Sequence, residues 1–344
     1  MFAQSQEVYG IYNLTPQGSS RVMAMGGASA AIDDDATAIL GNPSGLAFEK
    51  WKLDFSGSWN RTTNREAKTD LRADEAQPVD YIQYALALRM GSWVLAGGMS
   101  QPYIWENESD YSDNSQFQLT STDFALAKKI GKSFSLGVAY HLETFKHSFQ
   151  SKDISNLIQK TTVEAKNGYL RVGFNFRSRK GGLGIVWSQK REFDIDGAID
   201  DTFSVYQPFR DAVIPEKLTV GLSFQATPNI LFVVDWDKFS KVENGIYSGS
   251  GEYGIGTGIS ILEKEQTVLH GGIEYEAIRS KTTDIYLRAG GYQEPARLEG
   301  GQSRVHYTLG FEVRFGPAVL SVAFDQADNF NNTSQGFSLA VGAL

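Results

Sequence analysis

Alternation of apolar and polar residues is the dominant pattern along this chain. Between residues 133 and 143 every second side chain is large and apolar, and the residues between them are small or polar. The same alternation occurs in residues 217–225, 269–276, 304–315 and 337–343. A period of two places all the apolar side chains on one face of an extended chain. The pattern therefore predicts a β-strand with one apolar face in each of these segments.

Weaker alternation marks further candidate strands, and turn or loop signals separate them. Thr227-Pro228-Asn229 and Gly316-Pro317 are typical of tight returns. The further strands are predicted at residues 51–64, 79–90, 92–101, 117–129, 160–177, 183–195, 230–239, 283–294 and 317–326. Longer polar stretches at residues 103–116, 149–159, 196–216 and 240–266 are predicted to be loops. The total is about fourteen strands, and single-chain bacterial barrels have an even number.

The chain lacks the long apolar run of about 18 residues that predicts a membrane-spanning helix. A membrane-spanning strand needs only about 9–11 residues, of which alternate ones face lipid, and such strands must close into a barrel. Alternation is also typical of soluble antiparallel sheets that have one face in water. We predict an all-β fold, a transmembrane antiparallel β-barrel of about fourteen strands, with the soluble sandwich as the alternative.

Composition narrows the function classes. The 344 residues contain no cysteine, and their four histidines show no spacing typical of metal ligands. The formal net charge is −8, which is not typical of nucleic-acid binding. We therefore expect no metal site, no cofactor and no nucleic-acid partner.

Residues 18–48 do not alternate, and they contain many small side chains. Asp33 to Asp35 favour a short helix that begins near Ala36, and Asn42-Pro43 is predicted to end it. Gly26 and Gly27 allow close packing against another backbone. The predicted organisation is an N-terminal plug, residues 1–48, inside or beneath a barrel of residues 49–344.

Several motifs resemble the FadL/TodX family of outer-membrane proteins. The resemblance begins with residues 21–28, which include Gly26 and Gly27, and continues through residues 34–38 to Asn42-Pro43-Ser44-Gly45. The usual hatch motif of the family has Ala where this chain has Ser44. Further matches lie at residues 214–222, 226–229, 286–292 and 306–310.

The resemblance implies a fourteen-stranded barrel in the outer membrane of a Gram-negative-type bacterium, with an N-terminal hatch in its lumen. It also implies passive uptake of hydrophobic small molecules similar to long-chain fatty acids. Such a ligand, or a lipid or detergent, binds at the outer mouth and leaves through the barrel wall. Gly97, Gly98 and Pro102 in the third strand are the candidate lateral opening. PorV-like relatives suggest an alternative, a barrel that serves as a partner of a secretion system.

Polar residues on the non-apolar faces of the strands are the last candidates. They are predicted to face the lumen: His141, Glu143, Glu274, Glu276, Arg288, Arg304, His306, Glu312 and Arg314. Pairs such as His141 with Glu143 also occur in outer-membrane hydrolases. Catalysis needs a nucleophile, a base and an orienting group within hydrogen-bond reach, and the sequence does not show such a set. We expect lumen polar networks and no enzyme.

Overall fold

Fourteen strands of the chain pair edge to edge in one antiparallel sheet that closes on itself. The computed structural model describes residues 17–64, 78–107, 114–152, 158–193, 212–241, 265–295, 303–328 and 330–343. Within these residues each strand pairs with its neighbour along the barrel, and the last strand pairs with the first. Closure removes both sheet edges, so that every strand has a partner on each side. The barrel predicted from the alternation is confirmed, and the soluble sandwich is excluded.

Sixteen strands are present in the described residues, and two of them lie outside the barrel sheet. β8 (Arg191–Phe193) and β9 (Ala212–Ile214) form a separate two-stranded sheet between the seventh and eighth barrel strands. The barrel strands are β1 (Trp51–Asn64), β2 (Val79–Met90), β3 (Trp93–Asn107), β4 (Asn114–Ile130), β5 (Phe134–Lys152), β6 (Ile158–Ser178), β7 (Gly181–Ser188), β10 (Lys217–Thr227), β11 (Ile230–Phe239), β12 (Gln266–Arg279), β13 (Asp284–Glu294), β14 (Arg304–Phe315), β15 (Ala318–Ala327) and β16 (Phe330–Ala343).

Strand ends differ from the prediction where the alternation of apolar and polar residues breaks down. β3 continues to Asn107 and β4 begins at Asn114, so the loop predicted at residues 103–116 is largely strand. β5 and β6 likewise extend into residues 149–159, and β16 begins at Phe330 rather than at residue 337. Beyond the lipid, both faces of a strand can meet water, and alternation no longer reports its length.

The outer face of the barrel is a band of large apolar side chains. In β5 the alternating residues Phe134, Leu136, Val138, Tyr140 and Leu142 are each 39–49% exposed. The residues between them point inward and are buried. Monomeric soluble proteins rarely expose apolar surface that encircles the molecule, so this band is a lipid contact. The chain is a transmembrane β-barrel.

The N-terminal segment, residues 17–50, lies against inward-facing residues of the barrel. It contains one short helix, α1 (Ser20–Ala24), and two 3-10 helices, Ala36–Ile39 and Pro43–Phe48. Asp35 caps the first 3-10 helix by accepting a hydrogen bond from the Thr37 amide, as predicted. Asn42-Pro43 follows its end but also begins the second 3-10 helix, which the sequence analysis did not predict. Among the described residues, the helices are all too short to cross a membrane.

Backbone of the N-terminal segment touches the barrel wall at strand positions that have no side chain. A Cβ added to Gly184 in β7 would lie 1.9 Å from the carbonyl oxygen of Ala30. A Cβ added to Gly272 in β12 would lie 2.6 Å from the carbonyl oxygen of Met25. Segment backbone approaches Gly137 and Gly290 in the same way. At Gly173, Gly310 and Gly336 the nearest atoms of the segment belong to side chains. Glycine at these positions therefore fixes where the segment lies.

Adjacent glycines in β12 provide a direct test of this packing. We expect Gly272→Ala to weaken docking of the N-terminal segment by about 1–3 kcal/mol, because the methyl group overlaps backbone of the segment. Gly271→Ala is the matched control, since a Cβ there meets no atom within 4 Å. Trypsin cleavage at Arg21 in detergent, with urea unfolding of the barrel measured in parallel, reports the effect. Equal cleavage of the two variants would contradict the packing argument.

Candidate lumen site

The Asn-Pro-Ser-Gly motif lies on the inner wall formed by β5 and β6. The Asn42 amide donates to the carbonyl oxygen of Ala30 at 2.6 Å, and its oxygen accepts from the Ser44 hydroxyl at 2.6 Å. The Ser135 hydroxyl of β5 donates to the Ser44 carbonyl oxygen at 2.9 Å. The extra hydroxyl of Ser44 therefore closes an internal hydrogen bond that alanine could not make. Pro43 and Gly45 are buried beside it.

Gly26 and Gly27 form the turn after α1, and both have positive φ, at 68° and 83°. A Cβ on Gly26 would lie 2.5 Å from the Gly291 amide of β13. The conformation and the close approach each require glycine here. The His270 ring binds the carbonyl oxygen of Gly26 at 2.6 Å, which ties the turn to β12.

A row of alternating charges joins the N-terminal segment to the wall. Arg21 pairs with Asp34 at 3.0 Å and with Glu274 of β12 at 2.8 Å. Arg288 of β13 continues the row, at 2.7 Å from Glu274 and 2.9 Å from Glu312.

Arg314 ends this row. It pairs with Glu312 at 2.5 Å and is the more exposed partner. Buried charges are stable only when each has a partner, so the row holds the segment against β12, β13 and β14.

Acidic groups of the N-terminal segment titrate far from their usual range. Burial, with the nearby charge of Asp35, raises the pKa of Asp33 to about 8. The Asp33 carboxylate accepts from the backbone N–H of Asn42 at 3.2 Å. Burial and the nearby Asp54 charge also raise the pKa of Glu49 to about 8. Protonation of these groups therefore favours the docked segment.

A second polar cluster surrounds His306 on the inner face of β14. Its ring lies 2.8 Å from Asp325 and 3.0 Å from Glu294, and it stacks on Tyr292 with ring centroids 4.2 Å apart. Arg304 pairs with Glu294 at 2.7 Å. Glu276, by contrast, pairs with Arg279 near the turn between β12 and β13. The structure thus places Arg304 and His306 together and Glu276 apart from them.

A third cluster surrounds His141 on β5. The His141 ring lies 2.6 Å from Asp123 of β4 and stacks on Tyr169 of β6. Glu143 accepts from Arg191 at 2.5 Å, and the guanidinium of Arg191 lies 4.0 Å from the centre of the Tyr169 ring. Arg191 belongs to β8, so this cluster ties the two-stranded sheet to the inner wall of the barrel.

Serine hydroxyls near His141 do not make a nucleophile. Ser100 and Ser121 both donate to the Asp123 carboxylate, at 3.2 Å and 2.5 Å. An activated serine would instead donate to the imidazole that takes its proton. The arrangement is a polar network on the wall.

A cavity lies between the N-terminal segment and the barrel wall. Its empty volume is about 1070 Å³, which includes space open to solvent. We call it the chamber. Gln17 and Ala30 of the segment line it, and Pro102, His141, Asp235 and His270 are among its wall residues. β8 and β9 contribute Arg191 and Ile214 to the same lining.

The wall beside the chamber is irregular between β2 and β3. Their ladder ends at Tyr84 and Met99, although β3 continues to Asn107. The β3–β4 ladder has a register shift between Ser100 and Tyr103. Pro102 lies in this interval and cannot donate a ladder hydrogen bond.

The prediction that Gly97 and Gly98 interrupt the wall is wrong. Gly97 pairs with Leu86 and Phe124, and Gly98 pairs with Ala85 and Asp123. A Cβ on Gly98 would lie 2.7 Å from the carbonyl oxygen of Tyr84, so this glycine permits close strand pairing rather than a gap. The irregular interval begins after Met99 and contains Pro102.

Sequence reasoning missed several residues of the chamber: Arg191, Asp235, Asp237 and His270. All but Arg191 occupy inward positions of alternating strands, so the alternation itself could have identified them. Arg191 lies on β8, whose three residues are too few for a periodic signal.

No family sequence model matches the chain, and no curated protein sequence matches it either. Solved structures do match. The monoaromatic hydrocarbon channel CymD has a TM-score of 0.67 at 14% identity, over 96% of this chain and 99% of that one. The Pseudomonas putida toluene transporter TodX has a TM-score of 0.67 at 14% identity, over 96% and 98% of the two chains.

A Pseudomonas aeruginosa FadL homologue has a TM-score of 0.65 at 11% identity, over 96% of this chain and 98% of that one. At such identities the likeness concerns architecture, and it extends over almost the whole of each chain. This chain therefore has the fold of FadL-like and TodX-like barrels.

Proposed function

We propose that this protein is an outer-membrane channel for passive uptake of hydrophobic small molecules, with long-chain fatty acids as one substrate type. The fold shared with hydrocarbon and toluene channels supports a transport role. The proposed exit is lateral, through the wall between β2 and β3. Residues of the expected outer mouth fall mainly in the long connections, outside the described residues.

The observation that carries the proposal is the position of the wall irregularity. The β2–β3 ladder ends at Tyr84 and Met99, and the chamber is lined by Ser100 and Pro102 at that point. A molecule in the chamber therefore lies next to an interval of the wall in which β2 and β3 form no ladder pairs. Opening that part exposes the molecule to lipid, where a hydrophobic solute is stable.

The N-terminal segment acts as a hatch in this proposal. Its buried backbone, its glycine contacts and the row of charges through Arg21 support a plug that blocks water and ions. The domain division proposed is a hatch of residues 1–48 and a barrel of residues 49–344. The alternative of a PorV-like secretion partner gains no support from the compared structures.

A disulfide across the irregular interval tests the exit. Ile82 lies opposite Gln101, because its amide donates to the Gln101 side chain at 3.3 Å. The chain contains no cysteine, so Ile82→Cys with Gln101→Cys introduces a single pair. Oxidation should join the strands and reduce uptake of labelled oleate and toluene by at least about fivefold, and reductant should restore it.

Leu88→Cys with Leu95→Cys is the matched control for this disulfide. These residues are paired in the regular part of the same ladder and have similar exposure. Oxidation of the control should leave uptake unchanged at equal surface levels. Full uptake through the oxidised Ile82–Gln101 pair, with the cross-link verified by mass spectrometry, would exclude this exit.

Deletion of residues 1–47 tests the hatch. Single-channel conductance in planar bilayers should rise severalfold, because the segment that fills the lumen is gone. Heat-modifiable gel migration checks that the truncated barrel is folded. A folded barrel with unchanged conductance would mean that the segment is not a plug.

The hatch should also loosen as pH rises. In the docked segment Asp33 keeps its proton up to about pH 8, whereas an exposed aspartate loses it near pH 4. Docking stability linked to Asp33 is therefore greatest in acid and is lost progressively between about pH 4 and pH 8. Open-channel events should be more frequent at pH 9 than at pH 6.

Asp33→Asn should reduce this pH dependence, since an amide does not titrate. Asp80→Asn, at an exposed strand position, is the control and should leave the dependence as in wild type. An unchanged pH dependence in Asp33→Asn would assign the effect to another group.

A further inference from the structure

Among the described residues, four side chains of the chamber wall each have one buried polar atom that lacks a hydrogen-bond partner. They are His141, Glu143, Arg191 and Asp235. The atoms concerned are, in that order, Nε2, Oε2, Nε and Oδ1. All four residues line the chamber. Buried polar atoms without partners are costly, and a cluster of them around one cavity indicates a ligand site.

The hydrogen bond of the His141 ring fixes what its free nitrogen can do. Nδ1 of His141 lies 2.6 Å from the Asp123 carboxylate, which can only accept, so Nδ1 carries the hydrogen. In the neutral ring Nε2 is then an acceptor. His270 differs, because its Nε2 lies 3.4 Å from the Asp237 carboxylate.

The two carboxylates also offer acceptors. The other oxygen of Glu143 is held by Arg191, and the other oxygen of Asp235 accepts from the amides of Ser29 and Ala30 at 2.7 Å and 2.8 Å. Three of the four free atoms are therefore acceptors, and the fourth, Nε of Arg191, is a donor beside Glu143. The chamber calls for a ligand group that donates to these acceptors and can also accept, as a hydroxyl does.

Cationic side chains of the chamber are already occupied. Arg191 pairs with Glu143, and Lys217 pairs with Asp237 at 3.1 Å. Arg171 donates to the Leu40 carbonyl oxygen and to the Tyr169 hydroxyl. A carboxylate cannot donate to the acceptors here, so at this point of the chamber the head group of a fatty acid binds less well than a hydroxyl, although fatty acids remain substrates of the proposed channel.

We propose that the chamber binds hydrophobic molecules that carry a neutral hydroxyl group, which donates to these acceptors. This inference rests on the proposed function and specifies its substrate class. A hydroxyl supplies the donor that the wall lacks, and it loses less hydration on entry than an ammonium group does. The hydroxyl distinguishes a preferred substrate from the plain hydrocarbon of the same shape.

Binding of matched aromatic probes to the full-length protein in nanodiscs tests the inference. p-Cresol, toluene, 4-methylbenzoate and 4-methylbenzylammonium share one ring and differ in the polar group. Calorimetric titration should give p-cresol at least about tenfold tighter than toluene, since a site with unpaired acceptors discriminates against an analogue without the hydroxyl. 4-Methylbenzoate should bind most weakly.

Two isosteric variants address the acceptors themselves. Glu143→Gln with Asp235→Asn replaces each free oxygen by an NH₂ donor and keeps the oxygen that accepts from Arg191 or the Ser29 and Ala30 amides. Of the free acceptors only Nε2 of His141 then remains, so this double variant should lose most of the preference for p-cresol, to within about threefold of toluene. Glu276→Gln is the matched control, because Glu276 is a buried barrel carboxylate outside the chamber. It should keep the wild-type preference.

Each outcome bears on one of the two proposals. Equal binding of p-cresol and toluene, a preference that survives the double variant, or tighter binding of the ammonium probe overturns the hydroxyl inference. Toluene flux into liposomes is measured on the same preparation. Flux without a cresol preference supports the channel and contradicts the hydroxyl site. A cresol preference without flux supports the hydroxyl site and contradicts the channel.

Discussion

Contact between the backbone of the N-terminal segment and the backbone of the barrel wall is the constraint on which this structure depends. Ordinary side chains on the inner face would hold the segment several ångströms from the wall. Strand glycines such as Gly184 and Gly272 remove that separation, so carbonyl oxygens of the segment lie directly against the strands. The position of the segment sets the floor of the chamber, and the chamber in turn meets the wall beside Pro102.

Ion pairs, like the glycine contacts, hold the N-terminal segment against the barrel wall. The lumen buries many ionisable groups, and each buried charge needs a partner to offset lost hydration. Arg21 supplies such a partner from the segment to Glu274 of the wall. His141, Glu143 and Asp235 each keep one acceptor atom at the chamber without a hydrogen-bond partner. Those atoms give the chamber its chemical character, while the paired groups hold the segment against the wall.

Much of the fold follows from sequence, because lipid on one side and a crowded lumen on the other impose strict alternation. β5 shows this clearly: its outward residues and His141 lie on the faces that the alternation predicts. Alternation could not give the length of β3, because residues 101–105, Gln-Pro-Tyr-Ile-Trp, do not alternate.

Tertiary contacts limited the prediction of the candidate site. Gly98 was expected to break the wall, but a close neighbouring strand is what makes glycine necessary there. Arg191 gave no periodic signal because β8 has only three residues, and its partner Glu143 lies far away in sequence. The acceptors of the chamber depend on hydrogen bonds between residues that are separated in sequence, which no local pattern reports.

The N-terminal segment also holds the seam between β1 and β16, where the two ends of the barrel sheet meet. Asp54 of β1 accepts from Ser338 of β16 and from the amide of Ala36 in the N-terminal segment. Ser20 of the segment lies 2.8 Å from Ser334 of β16. The segment thus bridges the first and last strands and reinforces the junction that closes the barrel. Closure of the barrel and docking of the segment therefore stabilise each other, and a chain that has lost the segment has fewer contacts at the seam.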